Sequence, residues 1–215
     1  MKNLLLIAVT ILAVGCGVKD QATDETKPPE IEKEALPPIP DKVTKEFVME
    51  LWDQTNDETD LIKEIENLWR SGIWTMSRKM GPNKNELVNA EQAKMTLKYA
   101  NQRYVIWEIV TDTGTSYSTV TYDFEKKKYH WWEFGENSGE TFVAEYSGQL
   151  LDDKLFEWES VVFPLEDGKV KFRELIKTDN KIEVMVEVSK GGEIIGASKD
   201  ILTWLEELPT QKNNQ

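Results

Sequence analysis

Eight residues, Leu68-Trp69-Arg70-Ser71-Gly72-Ile73-Trp74-Thr75, decide how this chain folds. A helical pattern of apolar residues ends at Ser71-Gly72, and from Trp74 to Trp204 almost every segment has the pattern of a β-strand. Gly72 allows the backbone to leave the helix in a conformation that other residues resist. The residues before Gly72 are therefore predicted to cover a sheet, and the residues after it to form that sheet.

Apolar and polar residues alternate throughout residues 72–205, with the period expected of half-buried strands. On one such strand Val105, Trp107 and Ile109 share a face. Turn signals such as Asp112-Thr113-Gly114 separate the runs about every 10–15 residues, and no helical pattern lies between them to carry a parallel crossover. Consecutive hairpins predict an all-β, antiparallel up-and-down barrel of about nine or ten strands, because closure removes the edges of a long meander.

Two apolar stripes at helical spacing lie in residues 41–71, before the sheet. The first follows Asp41, a candidate N-cap, and the second follows the polar run Asn56-Asp57-Glu58-Thr59. Such stripes are usually packing faces, so they predict one or two α-helices that cover the barrel. The stripe residues are Val43, Phe47, Val48, Leu51 and Trp52 in the first, and Leu61, Ile62, Ile65, Leu68 and Trp69 in the second.

The first residues have the pattern of a secretion signal. An apolar run from Leu4 to Val14 is too short to span a bilayer and suits the core of a signal peptide. Ala13-Val14-Gly15-Cys16 resembles the bacterial lipobox, at which lipoproteins receive a lipid on the cysteine and are cut just before it. The resemblance implies a signal peptide over residues 1–15 and a bilayer anchor on Cys16. The alternatives are an ordinary secretion signal and a buried helix, each with an unmodified cysteine.

The residues after Cys16 predict where the protein is held. The lipobox resemblance implies the bacterial cell envelope. Because Gly17 is not the aspartate that retains lipoproteins in an inner membrane, it implies the outer membrane facing the periplasm where the cell has two membranes. Residues 16–40 carry the lipidated cysteine and a segment that is rich in proline and acidic residues and has no aromatic residue. This composition predicts a disordered tether, and residues 206–215 are expected to form a disordered tail.

Charge and rare residues exclude several classes of function. The net charge of −13 disfavours binding to nucleic acid and to anionic lipid surfaces. One cysteine and one histidine disfavour a zinc site. We expect a monomer whose partners are the bilayer, through acylated Cys16, and a small apolar ligand, with no nucleic acid and no metal.

Several short motifs are similar to lipocalins and their relatives, the calycins. A helix leading into Gly72-Ile73-Trp74 resembles the lipocalin entry, and Thr121-Tyr122-Asp123-Phe124 with Tyr129-His130-Trp131-Trp132 resembles a lipocalin-like bacterial family of unknown function. The resemblance covers about residues 66 to 204. It implies a barrel with an internal cavity, and a basic residue near the last strand that stacks on the entry tryptophan. Lys199 is the candidate for that residue.

A group of aromatic residues on the strands is the candidate ligand site. Inward aromatic side chains can either fill a barrel of this size or line a pocket for one small ligand. Alternation places Tyr129 and Trp131 on one face and Trp132 on the other, without deciding which face points inward. Arg173 interrupts an apolar strand, and facing inward it would need an acidic partner or a ligand carboxylate, whereas an outward Arg173 is equally compatible. The aromatic candidates are Trp107, Tyr122, Tyr129, Trp131, Trp132 and Trp158.

The sequence carries no common catalytic signature, neither a P-loop, a dinucleotide fingerprint nor Gly-x-Ser-x-Gly. Glu157 and Glu159 share one strand face, but an outward charged face is favoured over two-carboxylate chemistry. His130 is compatible with a haem ligand, through a resemblance to haem-binding nitrobindin barrels, but an ordinary strand histidine is favoured, so no cofactor is predicted.

Three functions remain after these exclusions. The leading hypothesis is that the barrel binds a small apolar or amphipathic ligand. The alternative is an envelope structural or protein-interaction module with a filled, non-binding barrel. A third class is an enzyme without a cofactor or with haem, for which the sequence offers no catalytic residue.

Overall fold

Ten consecutive antiparallel strands form from Gly72 onward, as the alternation predicts. The computed structural model of the protein describes residues 36–54, 61–66 and 68–208. Within these ranges the elements are α1 (Lys45–Trp52), β1 (Gly72–Gly81), β2 (Val88–Ala100), β3 (Tyr104–Thr111), β4 (Thr115–Asp123), β5 (Lys128–Asn137), β6 (Glu140–Asp152), β7 (Leu155–Val162), β8 (Gly168–Thr178), β9 (Lys181–Lys190) and β10 (Glu193–Glu206).

Each strand pairs with the next in the chain, and β10 pairs with β1 to close the sheet. Met76 of β1, for example, lies opposite Ala93 of β2 and Leu202 of β10. Every pairing is antiparallel. The prediction of an all-β, up-and-down, lipocalin-like barrel of about nine or ten strands is therefore confirmed, with ten.

Gly72 occupies a position that no other residue fits. Its φ angle is +133°, outside the range that side chains favour. A Cβ atom there would lie 2.4 Å from Nε1 of Trp204 and 2.5 Å from the carbonyl oxygen of Glu206, both on β10. Because Gly72 has no side chain, β10 can approach the backbone this closely where β1 begins.

Helix α1 packs on the outer wall of the barrel. Thr44 caps it, since the Thr44 Oγ1 accepts a hydrogen bond from the backbone N–H of Phe47 at 3.3 Å, so the cap is Thr44 and not Asp41. The buried side chains Val48 and Leu51 form a cluster with outward-facing residues of β2, β3 and β5. Those strand residues are Ala100, Tyr104, Ile106, Trp132 and Phe134.

The second predicted helix is wrong for the residues that the structure describes. Residues 63–66 form a turn, in which the N–H groups of Ile65 and Glu66 both donate to the carbonyl of Ile62 at 3.0 Å. Tertiary contacts override the helical spacing: the Ile62 N–H donates to the Gln102 carbonyl at 2.9 Å, and the apolar side chains enter the barrel. We call residues 61–66 and 68–71 the plug, because Ile62, Ile65 and Trp69 are buried in the interior core.

The plug defines the two ends of the barrel. At the plug end, where β1 begins, the Tyr129 hydroxyl donates to the Glu64 carbonyl at 2.8 Å. The opposite end, where β1 ends at Gly81, we call the mouth end. Because the strands alternate in direction, odd-numbered strands run from the plug end to the mouth end and even-numbered strands run back.

Residues 36–40, the last part of the predicted tether, lie against the barrel. Leu36 is 8 % exposed and belongs to the interior core, while Arg103 donates from Nη1 to the Pro37 carbonyl at 2.6 Å. An apolar side chain and a carbonyl acceptor thus fix this stretch, although its composition predicts disorder. The rest of the tether, Cys16 and the signal segment lie outside the described residues, as does most of the predicted tail.

The expectation that Lys199 stacks on the entry tryptophan, Trp74, is wrong, and a different base, Arg70, stacks on Trp204. Lys199 forms an ion pair with Glu183 at 3.6 Å, away from the entry tryptophan. The Arg70 guanidinium carbon lies 3.5 Å from the ring centroid of Trp204, and the Arg70 carbonyl accepts a hydrogen bond from Trp74 Nε1 at 3.0 Å. The base therefore precedes the first strand and stacks on a tryptophan of the last. Among the described residues, no helix is long and apolar enough to cross a bilayer.

Candidate binding site inside the barrel

Most of the predicted aromatic residues point into the barrel. Trp107, Tyr129 and Trp158 are buried in the interior core, and Tyr122 and Trp131 are partly buried against it. Trp132 belongs to the cluster under α1 and therefore points outward. The structure thus decides the face that the sequence left open, since Tyr129 and Trp131 face inward.

Arg173 lies on the outer wall and has no role in the interior. Its Nε and Nη2 donate to Glu157 Oε1 at 3.0 and 2.8 Å, and both side chains are exposed. It points outward because its neighbours Phe172 and Glu174 occupy the inward positions of β8. Glu159 likewise pairs with Lys171 on the outer wall, at 3.7 Å. The two carboxylates of β7 therefore form the solvated charged face that the sequence favours.

His130 also faces away from the interior. Its ring stacks on Trp132, with centroids 5.4 Å apart and planes 15° apart. Burial, together with the charge of Lys126, lowers the pKa of His130, and the Asp123 carboxylate 3.6 Å away opposes the shift. A histidine on the outer wall cannot ligate a haem held within the barrel.

A column of stacked rings fills the half of the barrel near the plug. Trp69 stacks on Phe156, Phe156 on Trp158 and Trp158 on Phe172, with centroid distances of 4.9, 5.6 and 5.8 Å. Gly148 makes room for this column, because a Cβ atom there would lie 2.2 Å from the Trp158 ring. Much of the aromatic density that suggested a ligand site is therefore core.

Glu174 is buried beside this column. Its Oε1 accepts a hydrogen bond from Trp69 Nε1 at 2.6 Å, and only 3 % of the residue is exposed. Burial raises the pKa of Glu174 to about 7, and the indole N–H groups of Trp69 and Trp158 act in the opposite direction. The Trp158 indole N–H faces the carboxyl without reaching hydrogen-bond geometry, so Trp158 Nε1 and Glu174 Oε2 have no hydrogen-bond partner.

Towards the mouth end, inward side chains of β9 are no longer fully buried, and we call this half of the interior the hollow. On the inward face of β9, Ile182 is 1 % exposed, whereas Val184, Val186 and Val188 are all partly exposed. These valines lie opposite inward residues of β8 and β10 in a closed sheet, so the space that exposes them is the inside of the barrel. Small inward side chains line the same half on neighbouring strands: Ala93, Ser116, Ser118, Ala144 and Ser198.

Arg78 reaches into this hollow half from β1. Its Nε and Nη2 donate to the two carboxylate oxygens of Asp200 at 2.9 and 2.7 Å, and Nη1 lies 3.2 Å from Glu91 Oε2. Glu91 and Asp200 are the register partners of Arg78 on the two flanking strands. Burial lowers the pKa of Arg78, but these carboxylates outweigh it and the net shift is upward.

Glu133 faces the same space from β5. It lies opposite Ser118 of β4 and Ala144 of β6. Burial raises the pKa of Glu133, while a hydrogen bond with Ser116 and the charge of Arg78 lower it. Burial raises the pKa of the Tyr146 hydroxyl, and the nearby Glu133 charge adds to that shift.

Besides Trp158 Nε1 and Glu174 Oε2, three further polar atoms of the interior have no hydrogen-bond partner: Trp107 Nε1, Ser118 Oγ and Trp131 Nε1. Native proteins rarely leave buried polar groups unpaired, so these atoms mark a place where a water molecule or a ligand would bind. No group of three or more histidine, cysteine or acidic side chains within the described ranges is placed to hold a metal ion.

The charged interior residues Arg78, Glu91, Glu133 and Asp200 were not predicted as site residues. A signal existed, because each lies two residues from an apolar core residue on the inward phase of its strand: Met76, Ala93, Trp131 and Leu202, respectively. Trp131 fixes that phase for Glu133, and Met76 fixes it for Arg78. A single sequence read strand by strand assigns such charges to the outer face.

Exposed apolar side chains surround the mouth. Strand ends at the mouth end carry most of the large exposed apolar residues of the described chain, and only Leu151 and Leu205 lie towards the plug end. Those at the mouth are Met80, Val88, Val110, Val143, Val161, Val162, Ile194 and Ile195. We call these eight residues the rim.

No family model and no curated protein matches the chain. Among solved structures it is similar to an S-type phycobiliprotein lyase from Guillardia theta, with 12 % sequence identity and a TM-score of 0.40. The likeness covers 64 % of this chain and 89 % of that one. A likeness at this level carries no argument about a ligand or an activity.

Proposed function

We propose that the barrel binds one small amphipathic ligand in its mouth-end half. The observation that carries the proposal is the change along β9, where Ile182 is buried and Val184, Val186 and Val188 on the same inward face are not. A barrel filled for stability would bury this face along its whole length, because interiors pack as densely as organic crystals. The exposed face is apolar, as small-ligand pockets mostly are.

The polar groups of the hollow give the ligand an orientation. Its apolar body lies against the valines of β9 and the inward ring of Trp131. Its polar end meets the cluster around Arg78 and Glu133, together with the unpaired Ser118 Oγ. A few convergent polar groups in an apolar pocket are the usual source of orientation and specificity.

Titration with Nile red, a neutral apolar dye, tests this proposal on the full chain. We expect a saturable, blue-shifted emission with one dye per barrel. Val186→Trp places a large ring in the hollow and is expected to abolish saturable binding. Met185→Trp puts the same ring on the outer face of the same strand and is expected to leave binding unchanged. Absence of saturable binding to the wild type, or equal effects of both variants, would contradict the proposal.

The rim favours a second candidate, a module that contacts another protein. Exposed apolar patches mark interaction sites as well as the entrances of ligand grooves. A ligand that enters through the rim and binds in the hollow accounts for both features. An interaction module accounts for the rim but does not require a hollow interior. A wild type that binds no dye would move the preference to the interaction module.

We also propose that a lipid on Cys16 holds this barrel at the bacterial cell envelope, at the outer membrane facing the periplasm where two membranes exist. The support is the apolar run that ends at the chain's sole cysteine, with small residues just before it. Two or more acyl chains would anchor the protein stably, whereas one would bind only marginally.

A further inference from the structure

We propose that the polar end of the ligand is a cation, an ammonium group of an amphipathic amine, and that Glu133 is its counter-ion inside the barrel. This inference rests on the proposed function, since it names the chemical class that the hollow accepts.

The cation nearest Glu133 on the inner wall, Arg78, is already paired. Its guanidinium forms two hydrogen bonds with Asp200 and one with Glu91. A paired, bidentate arrangement of this kind satisfies the fork of the guanidinium. A ligand carboxylate would have to displace one of these partners and leave it without its cation, which is strongly unfavourable.

The same cluster leaves one carboxyl without a counter-ion. Three acidic side chains lie near the guanidinium of Arg78: Glu91, Asp200 and Glu133. Only Glu91 and Asp200 lie within ion-pair distance of it. Glu133 has Ser116 as its hydrogen-bond partner. Burial raises the pKa of this carboxyl, so a cation that reaches it would stabilise its ionised form.

A second, independent observation points to a ligand beside Glu133. Ser118 is fully buried, lies directly opposite Glu133 on the neighbouring strand, and its hydroxyl oxygen has no hydrogen-bond partner. Directly opposed residues have Cβ atoms about 5 Å apart, so one small group can reach both side chains. An ammonium group, which carries several N–H donors, fits a carboxylate and a hydroxyl oxygen together.

The surroundings of Glu133 provide room and aromatic faces. Ala144 on the other neighbouring strand is small, and Glu133 itself is only partly buried, so its carboxyl is accessible. The rings of Trp131 and Tyr146 lie beside Glu133 on the inner wall. Their centroids are 6.0 Å apart, in an edge-to-face arrangement. A cation held over such rings gains further stabilisation from their negative faces.

Long-range charge favours the same class of ligand. The net charge of −13 attracts cations to the protein and repels fatty-acid carboxylates. Local and long-range electrostatics therefore select against an anionic amphiphile and for a cationic one.

Displacement of Nile red by three amphiphiles of one chain length tests the inference on the full chain. Dodecylamine carries the cation, dodecanol is neutral and dodecanoate is anionic, all below micelle-forming concentrations. We expect dodecylamine to displace the dye at a concentration lower than dodecanoate by about tenfold or more, the size of one charge-assisted hydrogen bond. Glu133→Gln is expected to remove the preference for the amine over the alcohol, and Glu159→Gln, the same change on the outer wall, is expected to retain it.

A measurement on the wild type alone covers the case in which Glu133→Gln fails to fold. Dodecyltrimethylammonium keeps its charge at every pH, so its pH dependence reports on the protein. The charged and titratable groups that interact with Glu133 are Arg78 and Tyr146, and Glu91 and Asp200 are paired with the same Arg78. Since the pKa of Glu133 is raised and the cation binds its ionised form, displacement is expected to strengthen as the pH rises through that pKa.

The outcomes separate the two proposals. Saturable dye binding with no advantage for the amine, or with a preference for dodecanoate, would overturn the cation and leave the hollow barrel standing. An amine preference that survives Glu133→Gln would overturn the role of Glu133. Failure of the dye to bind would overturn the proposed function, and this inference with it.

Discussion

At the scale of single residues, the carboxyl of Glu174 makes the stability of the protein depend on pH. Its pKa rises from 4.5 to about 7 on folding, because it is buried beside the ring column. The folded state therefore binds more protons than the unfolded state between these values. The stability contributed by the protonated carboxyl is complete below about 4.5 and is lost as the pH rises through about 7.

Glu174→Gln tests this dependence, because it keeps the shape and the acceptor for Trp69 Nε1 without the ionisable group. As the pH rises from about 4.5 to above 7, the unfolding free energy of the wild type is expected to fall by up to about 3 kcal/mol relative to that of the variant. Urea denaturation at a series of pH values measures the difference. A difference that does not change with pH would show that Glu174 titrates as an ordinary surface acid.

Trp74 is a core residue at the start of β1, the first strand of the barrel. It is 1 % exposed, and its indole N–H donates to the Arg70 carbonyl. Trp74→Ala is expected to cost about 3–5 kcal/mol of stability, the usual loss for a truncated core aromatic. Urea unfolding followed by circular dichroism measures it, with Leu205→Ala, at an exposed position, as the control expected within about 0.5 kcal/mol. A loss below about 1 kcal/mol for Trp74→Ala would contradict its place in the core.

Individual site residues were predictable only in part. Alternation alone shows that Tyr129 and Trp131 share a face, but the inward side is decided by α1, which covers Trp132 on the outside. Glu133 escaped prediction because a charge on a strand is normally solvated, and its inward position follows only from the register of its neighbours.

At the scale of elements, the junction between the plug and β1 depends on close approach of two strands. Gly72→Ala would put a Cβ atom against the Glu206 carbonyl, in addition to the strain of a positive φ. Gly192→Ala is the matched control, since Gly192 also has a positive φ, +88°, but nothing within 4 Å of a Cβ.

Thermal unfolding of both variants separates the clash from the backbone strain. Gly192→Ala is expected to lose about 1 kcal/mol, from strain alone. Gly72→Ala is expected to lose clearly more, because the carbonyl of β10 has to move. Equal losses from the two variants would mean that β10 yields without cost and that the close approach is not what requires glycine.

The strands were predictable and the short elements before them were not. Period-two alternation over many residues is a strong signal, and ten strands follow from it. The stripe from Leu61 to Trp69 has helical spacing, yet a turn forms there because Ile62, Ile65 and Trp69 must all enter one end of a barrel. Local periodicity correctly marks which residues are buried, while the tertiary site determines their backbone.

At the scale of the whole molecule, closure follows from the strand pattern, whereas an internal cavity was implied only by the family resemblance and not by the residues of any one strand. An antiparallel meander with no other partner for its edges has to close, and β1 indeed pairs with β10. Whether the interior is filled depends on side chains from several strands that meet at one level, such as Ser118, Glu133 and Ala144. A strand-by-strand reading of the sequence does not bring these residues together.

The location of the whole molecule depends on Cys16 in our proposal. Cys16→Ser is expected to abolish membrane fractionation and to leave an uncleaved or soluble form, because the acyl chains supply the bilayer affinity. Metabolic labelling with a palmitate analogue gives a direct readout, with Ser198→Ala in the barrel as a variant expected to keep the label. A wild type that takes up no label would refute the anchor and leave the barrel proposals unaffected.

The hydrogen bond between Trp69 and Glu174 also turns the protein into its own optical indicator. A protonated carboxyl quenches indole fluorescence more efficiently than a carboxylate does, and here the carboxyl oxygen lies 2.6 Å from the indole nitrogen. The emission of Trp69 should therefore dim as the pH falls through about 7. The ionisation state of this hidden acid could thus be followed by light in the native protein, without any added dye.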